Sequence, residues 1–224
     1  MLILPLLLLL LLPLLRAQRR AADPSAALQA YRRTAWVLGG IVLSSMAAQE
    51  LILLFAGQLT WATGLPLHLC SLMGVLLLPA LLTRWEPLMH ALLFGGAPGA
   101  LLALLFPAVA DTPWPLWTGF FFRLMHAGLL CGPLPALLLG WRPRPEGALQ
   151  AWLTLLFCGI VAMAANALTG GNYLFLSGPV AGTPLMLLAQ WGRTVYRLLL
   201  AIAAGLLIAA GGFAVHLLRR ALRR

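Results

Sequence analysis

Seven apolar stretches divide this chain, at about residues 2–15, 35–56, 65–82, 88–106, 117–139, 149–168 and 195–218, and little sequence separates them. A bilayer core about 30 Å thick needs roughly 20 apolar residues per helix, with about 17 to 25 as the working range. The pattern therefore predicts an all-α polytopic bundle of seven transmembrane helices, six plus a short first one. Water cannot be the solvent for most of this chain, in which 62% of residues are hydrophobic and 9% charged. No internal repeat or low-complexity linker divides it, so residues 1–224 read as a single transmembrane domain. The first stretch is short for a span and is expected to tilt little, thin the bilayer or lie partly in the interface. Its arginines follow the apolar run and no small-residue cleavage site is evident, which reads as an uncleaved anchor.

All 15 cationic residues are arginine, and the formal net charge is +10. A basic chain of this kind suggests nucleic acid only if the cations form one surface, and here they fall in short runs between the apolar stretches. The first link carries Arg16, Arg19, Arg20, Arg32 and Arg33, the third Arg84, the fifth Arg142 and Arg144, and the tail Arg219, Arg220, Arg223 and Arg224. The links "AGQLTWATG" and "PAVADTPWP" carry none, while the sixth has Arg193. By the positive-inside rule the N-terminus is expected outside and the C-terminus inside, with Trp61, Trp114, Trp117 and Trp191 at the outer boundary and Trp36, Trp85, Trp141 and Trp152 near the inner one.

Polar residues within spans are costly in lipid and tend to face the bundle interior. With that topology, Glu50 lies less than two turns below the outer face, and His68 and Cys70 one to two turns down. At about 1.5 Å of rise per residue, Arg123 and His126 sit roughly 9 and 14 Å down the fifth helix. Asn166 comes just under the surface, followed by Asn172 and Tyr173 in the next loop. Five segments thus deliver polar groups to the outer half of the membrane. Gly95 and Gly99, and Gly128 and Gly132, stand at small-xxx-small spacing and are expected to permit close helix packing.

Each polar residue has two readings. Cys70 is a nucleophile or a small buried hydrophobe; Cys131 and Cys158, without polar neighbours, read as the latter. Three cysteines of this kind do not form a disulfide framework. On a helix His68 and Cys70 would diverge by about 200°, so His68 is an interfacial histidine or a participant. Arg123 precedes His126 by one turn and covers the same face; it favours the uncharged imidazole a general base needs, binds a phosphate bidentately, or pairs with Glu50.

The stretches "LPLHLCSL", "FGGAPGALLALLFPAV", "PLWTGFFFRLMHAGLL", "NALTGGNYLFLSGPV" and "TPLMLLAQWGRTVYRLLL" resemble the YwaF-type family of bacterial integral membrane proteins. That family is similar to the eukaryotic transmembrane acyltransferase that remodels ether phospholipids, and more distantly to the androgen-induced threonine and histidine lipid hydrolases. The resemblance runs from about residue 30 to 205. It implies an acyl-transfer site in which the reactive cysteine is Cys70, the histidine after the phenylalanine-rich stretch is His126, and the loop residues are Asn166, Asn172 and Tyr173. The substrates it implies are membrane phospholipids and lysophospholipids, without cofactor, metal or nucleic acid, in a bacterial plasma membrane.

The chemistry is consistent with those residues: a Cys70 thiolate forms a thioester, His126 carries the proton, and Asn166, Asn172 or Arg123 stabilises the oxyanion, with Glu50 orienting His126 or balancing Arg123. Two rivals stand beside this expectation. His68, Cys70 and His126 are metal ligands in a zinc hydrolase reading, which the absence of any His-x-x-x-His pair opposes. In a lipid or small-molecule transporter or binding protein, Glu50, Arg123 and His126 line a pathway, which the lack of inverted repeats opposes.

Overall fold

The computed structural model describes residues 3–19 and 24–221, and among them it is helical with no strand. Arg20, Arg223 and Arg224, which count toward the expected orientation, and Leu2, which opens the first apolar stretch, lie outside the described residues. In chain order the helices are α1 (Ile3–Leu9), α2 (Leu12–Arg19), α3 (Pro24–Phe55), α4 (Leu69–Thr83), α5 (Glu86–Leu105), α6 (Pro115–Leu138), α7 (Gly147–Thr169), α8 (Leu185–Leu188) and α9 (Arg193–Ala221). Five of them, α3, α5, α6, α7 and α9, are long and apolar enough to cross a membrane, while α4 is apolar but only 15 residues long. The protein is an integral membrane protein built on these helices.

The first apolar stretch, expected to form one helix, is two. Proline at position 13 has no N–H to return to the Leu9 carbonyl and its ring collides with it, so α1 ends at Leu9 and α2 starts afresh at Leu12. Two other boundaries move further than the rest. The helix expected over 35–56 begins eleven residues earlier, at Pro24, where proline suits a first turn. The third begins at Leu69 instead of 65, because Leu65 and Pro66 belong to a link whose backbone is held from elsewhere.

Prolines also shape the helices that continue through them. Pro98 offers no N–H to Phe94, and one wide π turn at Leu92–Gly96 absorbs the mismatch while α5 runs on to Leu105. In α6, Pro133 cannot bond Leu129, whose carbonyl instead accepts from Gly132 N at 3.0 Å before the last turn, Leu134–Leu138.

The core lies among α3, α4, α5 and α6, with α1 against it. Tyr31, Leu38 and Val42 of α3 meet Met73, Leu77 and Leu81 of α4, Met89 and Leu92 of α5, and Met125 and Leu129 of α6, each of them buried. Glycines set the closest approaches: a Cβ on Gly128 would stand 2.6 Å from Val42, and one on Gly132 2.8 Å from Leu77. Gly99 faces Leu69 and Cys70, as close packing requires. Gly95 does not: nothing lies within 4 Å of where its Cβ would be, and it is a Cβ on its neighbour Gly96 that would stand 3.2 Å from Met73. The π turn inserts one residue into the helical count and so shifts the packed face by one position.

Helices α7 and α9 join from one side. Phe94 of α5, Ala151 of α7 and Ile208 of α9 form a second, smaller cluster, and a Cβ on Gly205 of α9 would stand 3.3 Å from the Trp152 ring. Leu153, Phe157, Ile160, Leu198, Ile202, Leu206 and Phe213 of these two helices are exposed, which suits a surface in contact with lipid.

Hydrogen bonds between connections sort the helix ends. Tyr31 donates to the Leu81 carbonyl, joining the start of α3 to the end of α4. At the opposite end Gln58 Nε2 donates to the Asp111 carbonyl at 2.9 Å, joining the α3–α4 and α5–α6 links. That second end carries the polar residues singled out above.

Candidate functional site

Tyr173 is the keystone of this end and is fully buried. Its hydroxyl donates to the Trp61 carbonyl at 2.8 Å and accepts from Leu65 N at 3.0 Å, so one side chain from the α7–α9 connection fixes the α3–α4 link. Asn166, in the last turn of α7, holds the Tyr173 backbone at both polar groups: Tyr173 N donates to Oδ1 at 2.7 Å and Nδ2 donates to Tyr173 O at 3.0 Å. Asn172 closes the next turn, its Oδ1 accepting from Ser177 N at 2.9 Å and its Nδ2 donating to Gly178 O at 3.0 Å. Both asparagines therefore position the loop. From the start of α9, Tyr196 Oη donates to Phe175 O at 2.8 Å and Arg197 Nε to Leu176 O at 2.7 Å. Leu174 and Phe175 have φ of 53° and 58°, left-handed values that such residues hold only when the surroundings impose them.

The clasp delivers an aromatic wall to His68. The His68 ring lies 5.4 Å from Tyr173, edge-on, and 5.0 Å from Phe175, and its Nδ1 is sealed without a hydrogen-bond partner. His68 is the N-cap of α4 with extended backbone, so the helical 200° divergence from Cys70 does not apply. Its side chain makes no cap bond, and the first intrahelical bond of α4 is Leu72 N to His68 O. Cys70 is the second residue of that uncapped turn, where helix N–H groups have no intrahelical acceptor. Its Sγ would lie 3.7 Å from a Cβ on Gly99, so the thiol packs where α5 has no side chain.

In α6, His126 is buried, and its Nδ1 bonds the Phe122 carbonyl at 2.7 Å. A carbonyl only accepts, so Nδ1 carries a proton and the neutral ring presents its lone pair at Nε2. No hydrogen bond joins Cys70 to His126 among the described residues. Arg123 is exposed and donates from Nη1 to Gly119 O at 3.0 Å.

The expected alternative of an Arg123–Glu50 ion pair does not form, because Arg123 turns back along its own helix. Glu50 sits instead beside the α3–α4 link, with Oε2 at 3.3 Å from where a Gly64 Cβ would be, and that oxygen is buried without a partner. The structure thus brings His68, Tyr173 and Asn166 into one connected group, places Glu50 beside the same link, and leaves Cys70, His126 and Arg123 on separate contacts. No three of His, Cys, Asp and Glu gather as a metal-binding group among the described residues.

One polar cluster escapes a reading by depth. His90 of α5 is 1% exposed, with Nδ1 2.9 Å from Gln150 Oε1 and Nε2 accepting from Arg144 N at 3.3 Å. Its ring is stacked on Phe94 and lies against Trp141, and Arg144 pairs with Glu86 beside it. The signal was present, since His90 interrupts an apolar stretch as His126 does. The model of the TMEM164 family matches residues 1–211, whereas no curated protein and no solved structure matches the chain.

Proposed function

We propose, from the premise that the chain belongs to the TMEM164 family, that this membrane protein is a lipid acyltransferase or acyl hydrolase working through a Cys70 thioester, with His126 as general base. The observation that carries the reading is the His126 tautomer: the Phe122 carbonyl holds Nδ1–H and leaves Nε2 as the proton acceptor, on a helix whose Met125 and Ala127 belong to the core that Cys70 packs against. The resemblance drawn from the sequence motifs supplies the reaction class.

In the first half-reaction His126 Nε2 takes the Cys70 proton, the thiolate attacks an ester carbonyl, and the lysolipid alkoxide leaves with the proton from His126. In the second, His126 takes the proton of a lysophospholipid hydroxyl or of water, that oxygen attacks the thioester, and Cys70 is regenerated. Substrate binding has to close the distance between thiol and imidazole, which share no hydrogen bond in the free protein. The uncapped N–H groups of Leu69, Cys70 and Ser71 suit the oxyanion, a role that Asn166 and Asn172 leave open by holding the loop. Arg123 keeps guanidinium N–H groups free for a lipid phosphate. Seven spans, an N-terminus outside and a site in the outer leaflet half of a bacterial plasma membrane complete the proposal.

Intact-mass measurement after incubation with a mixed phospholipid extract tests it. A hydroxylamine-sensitive acyl adduct is expected on the wild type and absent from Cys70→Ala; undiminished acyl transfer by Cys70→Ala overturns the mechanism. A second reading, a non-enzymatic lipid or small-molecule transporter or binding protein, draws on the sealed, unpartnered Glu50 Oε2, since unpaired intramembrane charge is typical of a transport path. Flux in vesicles that survives Cys70→Ala favours it.

A further inference from the structure

At the end of the bundle opposite the candidate site, a cleft of about 740 Å³ opens between the end of α4 and the start of α5, lined by Pro79, Thr83, Arg84, Trp85, Glu86, Pro87 and Leu88. Arg84 closes α4 in the left-handed conformation, φ 52° and ψ 31°, with its N–H on the Ala80 carbonyl. Glycine fills such a cap without strain. An arginine held there despite its Cβ invites a functional explanation.

The charges of the cleft are unequal in their commitments. Glu86 is neutralised by Arg144, the one ion pair among the described residues, and Arg84 takes part in none. Thr83 is occupied as well, its hydroxyl donating to Pro79 O at 2.8 Å and accepting from Trp85 N at 3.3 Å. Trp85 is 59% exposed at the rim, as an aromatic residue at a membrane interface would be. The walls given by Pro79, Pro87 and Leu88 are apolar.

We propose that this cleft seats the headgroup of an anionic phospholipid, with the phosphate on Arg84 and the glycerol and upper acyl carbons on the proline and leucine wall. An uncommitted guanidinium matches a phosphate bidentately, and an apolar wall under a tryptophan rim favours a lipid over free phosphate. The site is independent of Cys70 and of the acyl-transfer reading.

The test is native mass spectrometry of the full chain in detergent with phosphatidylglycerol or phosphatidylcholine. The wild type is expected to retain phosphatidylglycerol about fivefold better, the effect of one arginine near the headgroup plane. Arg84→Gly removes the cation while relieving the cap, so it is expected to lose that preference with its thermal midpoint undiminished. Arg84→Asn, which also tolerates the left-handed region, carries the same expectation. Arg142→Gln, at the same end but outside the cleft, is expected to keep the preference. Unchanged phosphatidylglycerol retention in both Arg84 variants overturns the proposal. So does its displacement by millimolar inorganic phosphate, which would assign the cleft to the free anion.

Discussion

At one end of the bundle His90 has both ring nitrogens occupied, by Gln150 and by the Arg144 N–H. At the other, His126 uses only Nδ1, and His68 leaves a sealed Nδ1 without a partner. All three histidines stand in apolar surroundings, where an unmatched polar atom costs about 1–3 kcal/mol. The fully matched one is explained by stability. The partly matched ones, with Glu50 beside the link that leads to His68, leave hydrogen-bonding capacity that folding does not use, and that capacity is what a substrate, a water or a proton in transit can engage.

Four substitutions break or sharpen this contrast. Cys70→Ala should have the largest effect, reducing acyl transfer at least about a thousandfold through loss of the covalent route, while thermal unfolding in detergent moves little. His126→Gln should follow, lowering the rate by about a hundredfold to ten-thousandfold, the usual contribution of a general base; adduct formation in single turnover would report it. His90→Leu should act in the opposite sense. It strands Gln150 Oε1 and the Arg144 N–H, costs about 1–3 kcal/mol in a detergent unfolding assay, and leaves the rate per folded molecule unchanged. Should His90→Leu abolish turnover without loss of stability, the contrast between the ends fails. Glu50→Gln is expected to have the smallest effect on stability, within about 0.5 kcal/mol of wild type, because its buried oxygen has no partner to lose. A strong loss of acyl transfer with an intact fold would add Glu50 to the catalytic group.

Much of this was legible in the apolar periodicity, for a physical reason: helices in lipid must satisfy their backbone internally, so an apolar run of span length has few alternatives. Six of the seven expected stretches correspond to single helices; the first is divided at position 13, and the third starts late because of the link at Pro66. Depth also sorted Glu50, His68, Asn166 and Tyr173 to one end. Depth is one coordinate, however, and it could not reveal that Arg123 turns to Gly119 instead of Glu50. Nor could it show that Asn166 and Asn172 face their own loop. Partner choice on a helix depends on azimuth, which here is set by glycine approaches and by the π turn. His90 was overlooked because its partners, Gln150 and the Arg144 backbone, lie on the far side of a connection that gives no local sign of the pairing.

The π turn at Leu92–Gly96 has a consequence of its own. It works as a one-tooth offset between two gears: residues before it mesh at His90 with α7, and residues after it mesh at Gly99 with the first turn of α4. Each helical residue subtends about 100°. Straightening this turn into ordinary α-helix with every residue kept would leave the stretch apolar and long enough to span, and would rotate everything beyond it by that angle. Pro98 or Ala100 would then face the thiol where Gly99 now gives way, and the two ends of the molecule, each intact, would no longer be in phase.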